Sequence, residues 1–284
     1  MDIEDTLIFY NWMPVVADWV IDYTDSWYRE WGVSSIHENT FLTNENISAI
    51  EEGDIVFVKT DFLKNNVFQE QILPNINVPI VLVSGISSYN VDNYQPLLES
   101  SKILKWFCTN PPCVHEKIVG VPIGFEEKER PGGNQKLLKS MELNPIKNGK
   151  ILLPKHTEDT NKDRMQSIEY LKSLDFVDVQ DDKLPFNEYL ELISRYKYCI
   201  CLEGAGFDTH RNYECLLVGT VPIMKTSGVK NIYDDYNLPS RFLDSWSQLD
   251  AELYNELKNT SFDFSNVEDF LKTKTHMNRI KNYD

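Results

Sequence analysis

Residues 201–223 read CLEGAGFDTHRNYECLLVGTVPI: the end of an apolar strand, a Gly-x-Gly turn, then an acid, a hydroxyl, an imidazole and a guanidinium in succession. Any Gly, Asn or Ser turn can join a strand to a helix, so Asp208, Thr209, His210 and Arg211 together suggest that something polar is held there. Gly204 and Gly206 let the backbone turn sharply and let a ligand approach the main chain. Asp208 or Thr209 is positioned to cap the following helix, whose first N–H groups and positive dipole end favour a phosphate. Arg211 can add a bidentate, charge-assisted contact to the same anion. Glu214, one helical turn beyond His210, can accept hydrogen bonds from sugar hydroxyls. Donors for a diphosphate beside an acceptor for a ribose are what a nucleotide-sugar requires. His210 has no assigned part: it contacts the ligand or packs against Glu214. On spacing alone a plainer account competes, in which Asp208 caps and Arg211 and Glu214 form a surface pair.

Other residues carry weaker chemistry. Lys155, His156 and Arg164 follow or flank a strand and can line the same phosphates, although KHTEDTNKDR also reads as a solvated loop. Cys199, Cys201 and Cys215 flank the motif and read as small buried apolar side chains. Trp12, Trp19, Trp27 and Trp31 crowd the first 31 residues; one or two could stack on sugar rings, while Trp19, Trp27 and Trp31 fall at helical spacing and read as core. The pairs Asp181-Asp182 and Asp234-Asp235 lack the Asp-x-Asp spacing that holds a divalent cation on a diphosphate, so no metal is expected.

The elements that position these residues follow from periodicity. Short β-branched runs at 6–12, 54–60, 79–85 and 103–110 read as buried strands, with amphipathic stretches at 14–31 and 91–101 between them. Residues 126–149 break every period with Pro-Gly-Gly and Asn-Pro and read as a linker. A second series follows: strands at 149–154, 176–180, 196–203 and 220–226, helices at about 161–174, 186–195 and 210–218. Gly219 closes the last of these helices. Alternating strand and helix imply an α/β architecture with parallel sheets, whose ligands bind beyond the strands' carboxyl ends. The expected division is 1–125, linker 126–149, 150–260 and a C-terminal helix in 261–284, capped by Ser265 or Asn266 and burying Phe270 and Leu271.

Composition narrows the partners. The 284 residues carry 28 basic against 44 acidic side chains, a net charge of −16, without a basic run, which argues against nucleic acid. The acidic start MDIEDTLIFYNW is no secretory leader, and no window is apolar enough to span a membrane. Five cysteines without a CxxC pair indicate neither a disulfide framework nor a zinc site and fit a reducing, cytoplasmic setting.

The block GAGFDTHRNYECLLVGTVPI, preceded by YKYCICLE, resembles the C-terminal signature of the exostosin-like glycosyltransferases, in which a strand, a G-x-G turn, D-T-H-R-x-x-E and a G-x-V-P strand follow in this order. The match is dense over 186–226, with a looser echo through 150–180 and in FCTN…GVPIGF. The resemblance implies a GT-B-type enzyme: two Rossmann-like, doubly wound domains facing across a cleft, acceptor on the first and sugar-nucleotide on the second. It implies transfer of a sugar from a nucleotide-diphosphate donor, a UDP-sugar, to a glycan hydroxyl, with the departing diphosphate met by Arg211, a lysine and the helix tip rather than a metal. Animal and plant members of the family carry an N-terminal anchor; this chain begins at its first strand, so secretory residence is not carried over. Anchorless enzymes of this kind resemble glycosyltransferases of large DNA viruses, pentose transferases among them, which brings UDP-xylose in as a donor. Inverting transfer needs a base near the acceptor. Asp61, just past a strand's carboxyl end, is the first choice, with Asp25 and Glu30 as alternatives; each also reads as an ordinary exposed acid. Two rivals stand beside this reading, a non-catalytic nucleotide- or sugar-binding module and a metal-dependent transferase.

Overall fold

The computed structural model describes residues 3–22, 46–87, 89–144, 147–156, 161 and 163–283. Their contacts divide the chain into two compact units, Met1–Ile123 with Thr273–Asp284, and Gly124–Lys272. Each is built on a five-stranded, all-parallel sheet, giving two Rossmann-like α/β units.

In unit 1 the strands are β1 (Trp19–Ile21), β2 (Ile55–Lys59), β3 (Ile80–Gly85), β4 (Ile103–Cys108) and β5 (Ile118–Gly120), and they lie side by side in chain order. Helices α1 (Thr60–Lys64) and α2 (Gln95–Glu99) fall between them. The strand period divides their side chains between two cores. Ile55 and Phe57 join Phe9, Trp12 and Met13 on one face, whereas Val56 and Val58 join Leu63, Phe68 and Leu97 on the other. Both faces are therefore covered, as a parallel sheet requires, and the strands read as near-continuous apolar runs.

Two expectations for this unit fail. The run 6–12 is no strand: isolated bridges at Leu7 and Phe9 lead into a 3-10 turn, Met13–Val16, where Pro14 has no N–H to continue a ladder. The stretch from residue 14 is not helical within its described part. It contains that turn and then β1, where Trp19 donates from Nε1 to Asp54 Oδ2 at 2.7 Å. Trp27 and Trp31 lie outside the described residues.

Unit 2 contains α3 (Gln135–Lys139), β6 (Asn148–Leu153), α4 (Asp163–Lys172), β7 (Val177–Val179), α5 (Phe186–Ser194), β8 (Tyr196–Ile200), α6 (His210–Leu217), β9 (Val221–Lys225), α7 (Val229–Asp235), β10 (Arg241–Leu243), α8 (Ala251–Asn259) and α9 (Val267–Phe270). Its strand order is β7-β6-β8-β9-β10, with a reversal between β6 and β8. Chain connections leave in opposite directions on the two sides of such a reversal, and a crevice opens at the carboxyl ends there. The segment 126–149 falls in this unit and carries α3, whose N-cap Asn134 accepts from the N–H groups of Lys136 and Leu137 and whose Leu138 is fully buried.

After α9, which stacks Phe270 on Tyr213 with ring centroids 6.1 Å apart, the chain returns to unit 1 as α10 (Thr273–Lys281). Thr273 donates its N–H to Thr6 O at 2.9 Å, and Met277 and Ile280 join the Phe9–Trp12 core. Phe270 and Leu271 are buried, but Asn266 at the start of α9 makes no side-chain cap bond. No helix among the described residues is long and apolar enough to cross a membrane.

Candidate functional site

The reversal in unit 2 brings together the segments leaving β6 and β8. His156 joins them. Its Nδ1 lies 2.6 Å from Pro154 O, so that nitrogen carries the proton, and its Nε2 accepts from the Leu202 N–H at 3.2 Å. Burial, then the Arg211 and Arg164 charges, pull the imidazole down to about 2, and it stays neutral. From the first turn of α4, Arg164 donates Nε–H to Glu203 O at 2.5 Å and an Nη2–H to Leu202 O at 3.3 Å, while Asn161 Nδ2 donates to Gly204 O at 3.1 Å. Arg164 is therefore a brace for the backbone beyond β8.

The turn itself differs from the expected one. Neither Gly204 nor Gly206 adopts a positive φ, and a Cβ on Gly204 would meet Arg164 Nη2 at 3.5 Å, an ordinary contact. The glycine that conformation requires is Gly219, at φ +70° after α6. Its N–H bonds to Leu216 O and that of Thr220 to Cys215 O, the two bonds of a Schellman ending.

Capping is also corrected. Thr209 occupies the N-cap position in extended conformation but makes no cap bond; its hydroxyl donates to Asn212 Oδ1 at 3.0 Å. Asp208 is buried and accepts from Asn212 Nδ2 at 2.9 Å and from the Tyr213 hydroxyl, so it anchors the inner side of the helix. Thr209 thus leaves the first N–H groups of α6 uncapped by its own side chain, and these with the helix dipole favour an anion. His210 turns away from Glu214, its Nδ1 lying 2.7 Å from Gly124 O.

Beside this tip lies a cleft of about 660 Å³, lined by Glu126, Lys155, His156, Lys183, Phe186, Tyr189, Arg211 and Glu214 among others. Its size is that of a small-molecule site. A hydrogen-bonded chain runs along its wall. Arg211 donates Nε–H to the Tyr189 hydroxyl at 2.7 Å and an Nη2–H to Lys155 O at 2.9 Å, and Tyr189 donates to Glu214 Oε2 at 2.9 Å. Glu214 is only 6% exposed. Burial pushes its carboxyl up, against the pull of Arg211, His210 and the Tyr189 bond. Lys155 is exposed at the rim. Sequence reasoning put Arg211 and Glu214 in one site but missed Tyr189, which lies 22 residues from Arg211 on a different helix. The acidic pairs enter ion pairs, Asp181 with Lys172 and Asp234 with Lys230, both at 2.6 Å.

In unit 1, Asp61 occupies the first turn of α1, directly beyond β2. Its Oδ2 is buried with no hydrogen-bond partner among the described residues. At the same sheet edge Ile86, after β3, and Asn110, after β4, take left-handed backbone at φ 56° and 50°. For a β-branched residue such as Ile86 that is a strained conformation. Asp25 and Glu30 lie outside the described residues.

No family model matches the chain, and no curated protein matches it. Among solved structures it is similar to OtsA in its apo form, at 9% identity over 83% of this chain and 72% of that one, with a TM-score of 0.44. It is also similar to the UDP-GlcNAc 2-epimerase of Methanocaldococcus jannaschii, at 14% identity over 81% and 77%, TM-score 0.33. A third is the pneumococcal O-GlcNAc transferase GtfA in complex with UDP and GlcNAc, at 12% identity over 82% of this chain and 54% of that one, TM-score 0.33. At these scores the likenesses decide nothing about activity, and the exostosin-like resemblance stays with the motif residues.

Proposed function

We propose that the protein is a GT-B-type, exostosin-like glycosyltransferase that moves a sugar from a UDP-sugar, with UDP-xylose among the donors to try, to a glycan hydroxyl. The observation that carries this reading is the cleft at the strand reversal, where an uncapped helix tip, Arg211, Tyr189 and Glu214 adjoin. Arg211 spends one Nε–H on Tyr189 and one Nη2–H on Lys155 O, and its remaining N–H groups are available to a diphosphate. The helix tip and Lys155 add positive potential where the leaving UDP accumulates charge. Glu214 accepts from the ribose. Braced by Arg164 and His156, the backbone holds this geometry before ligand arrives, which lowers the ordering cost of binding.

Unit 1 is read as the acceptor unit. Asp61 is its base, since a buried carboxylate oxygen without a partner can take the proton of an incoming hydroxyl. The strained backbone at Ile86, at the same sheet edge, supports this placement. The product then has inverted anomeric configuration. Charge on the diphosphate is met by side chains and the helix tip, so added Mg²⁺ or Mn²⁺ leaves the rate unchanged.

Calorimetric titration with UDP tests the site. Wild-type protein binds, and Arg211→Ala weakens binding about ten- to hundredfold, the loss of a hydrogen bond to a charged group. Equal affinity in the two would remove Arg211 from the site. UDP binding without turnover of any UDP-sugar would favour the binding-module reading instead.

A further inference from the structure

On β8 and its extension, Tyr198, Ile200 and Leu202 face the core around Leu171 and Trp246, so the alternating Cys199 and Cys201 face the opposite side, under α6. Cys215 of α6 meets them there. All three are buried, their Sγ atoms lie within 4.8 Å of one another, and Cys201 and Cys215 are 3.7 Å apart. Core cysteines often act as plain apolar filling, but these distances are more specific. Tetrahedral Zn²⁺ with Zn–S bonds of about 2.3 Å holds its sulfurs roughly 3.8 Å apart. A second observation comes from α7. The Tyr233 hydroxyl is buried without a hydrogen-bond partner among the described residues.

We propose that Cys199, Cys201 and Cys215 form a structural site for a thiophilic metal ion such as Zn²⁺. Binding replaces the S–H bonds of the coordinating thiols by Zn–S bonds and releases their protons to solvent, with no change of oxidation state. The ion ties the end of β8 to α6, the two elements on either side of the Gly-x-Gly turn. The three cysteines are buried and none of them lines the cleft, so the site is tested apart from the transferase reading.

Co²⁺ serves as the probe, since thiolate ligation gives it a charge-transfer absorption. Reduced full-length chain titrated with Co²⁺ shows that band, saturating at one ion per chain and bleached by Zn²⁺. Cys215→Ser abolishes it, whereas Cys113→Ser, outside the cluster, leaves it intact. Zn²⁺ also raises the melting temperature of the wild type, and Mg²⁺ does not. A core substitution can unfold the chain, so the wild-type titration decides alone: folded protein without the band at one equivalent overturns the proposal. A band that persists in folded Cys215→Ser overturns it too, as does a Cys201–Cys215 disulfide found by mass mapping of the isolated protein.

Discussion

Both units contain five parallel strands with apolar faces covered on each side, yet they treat their carboxyl edges differently. In unit 1 the described strands follow chain order, and ties at their ends join immediate neighbours: Thr60 after β2 donates to Gly85 O at the end of β3, and Lys59 of β2 lies 3.9 Å from Asp22 after β1. In unit 2 the order reverses between β6 and β8, and the residues leaving those strands are tied to one another through His156, Arg164 and Arg211. Similar local ingredients thus give a network that lines a cleft in unit 2 and ties between neighbouring strand ends in unit 1. The cause is connectivity: only at a reversal do neighbouring crossovers diverge and leave space.

If unit 1 supplies chemistry and unit 2 binding, the largest effect separates the two. Asp61→Asn lowers sugar transfer about 10²- to 10⁴-fold, the usual worth of a general base, while UDP affinity by calorimetry is unchanged. Retained turnover would direct the search to Asp25 and Glu30. The next test concerns the brace at the reversal. His156 titrates at about 2 folded against 6.5 unfolded, so the unfolded chain binds the extra proton below pH 6.5. Stability from this group is complete above pH 6.5 and is lost as pH falls towards 2, with a slope of about 1.4 kcal/mol per pH unit in between. Urea unfolding from pH 7 to pH 4 should show a shallower acid slope in His156→Gln than in the wild type; identical slopes would refute the assignment.

Two smaller changes sharpen the picture of α6. Gly219→Ala destabilises unit 2 by about 1 kcal/mol or more, because alanine disfavours positive φ and its Cβ would meet Leu143 Cδ2 at 3.0 Å. Gly149→Ala, with nothing within 4 Å of the added Cβ, is the matched control in thermal unfolding. Tyr189→Phe removes one neutral link between Arg211 and Glu214 and weakens UDP by about 1 kcal/mol, a roughly fivefold change in Kd. No change at all would mean that packing alone holds Arg211 in place.

The strands β2, β3, β4, β6, β7, β8 and β9 were legible because each lies in a short apolar or alternating run closed by turn residues. Three others were missed. β7 is as short, but its Val-Asp-Val alternates; β1, β5 and β10 show no such alternation within three residues, and their neighbours in the sheet stabilise them. The opposite error, a strand expected at 6–12, has the same origin: those residues are apolar because they fill a core between sheet and α10, not because they join a ladder.

For the site, sequence by itself determined the side chains that converge on the α6 tip. Helical spacing places His210, Arg211 and Glu214 within one turn, and Gly219 ends the helix with the backbone that only glycine adopts cheaply. Tertiary structure decided what each does. It turned Asp208 inward to Tyr213, sent Thr209 to Asn212, gave His210 to Gly124, made Arg164 a backbone brace and set Tyr189 between Arg211 and Glu214. Those partners come from segments up to 86 residues away. Local spacing fixes which side chains share a helix face, but hydrogen-bond partners depend on which strands are neighbours, and that order is set by the packing of the whole sheet.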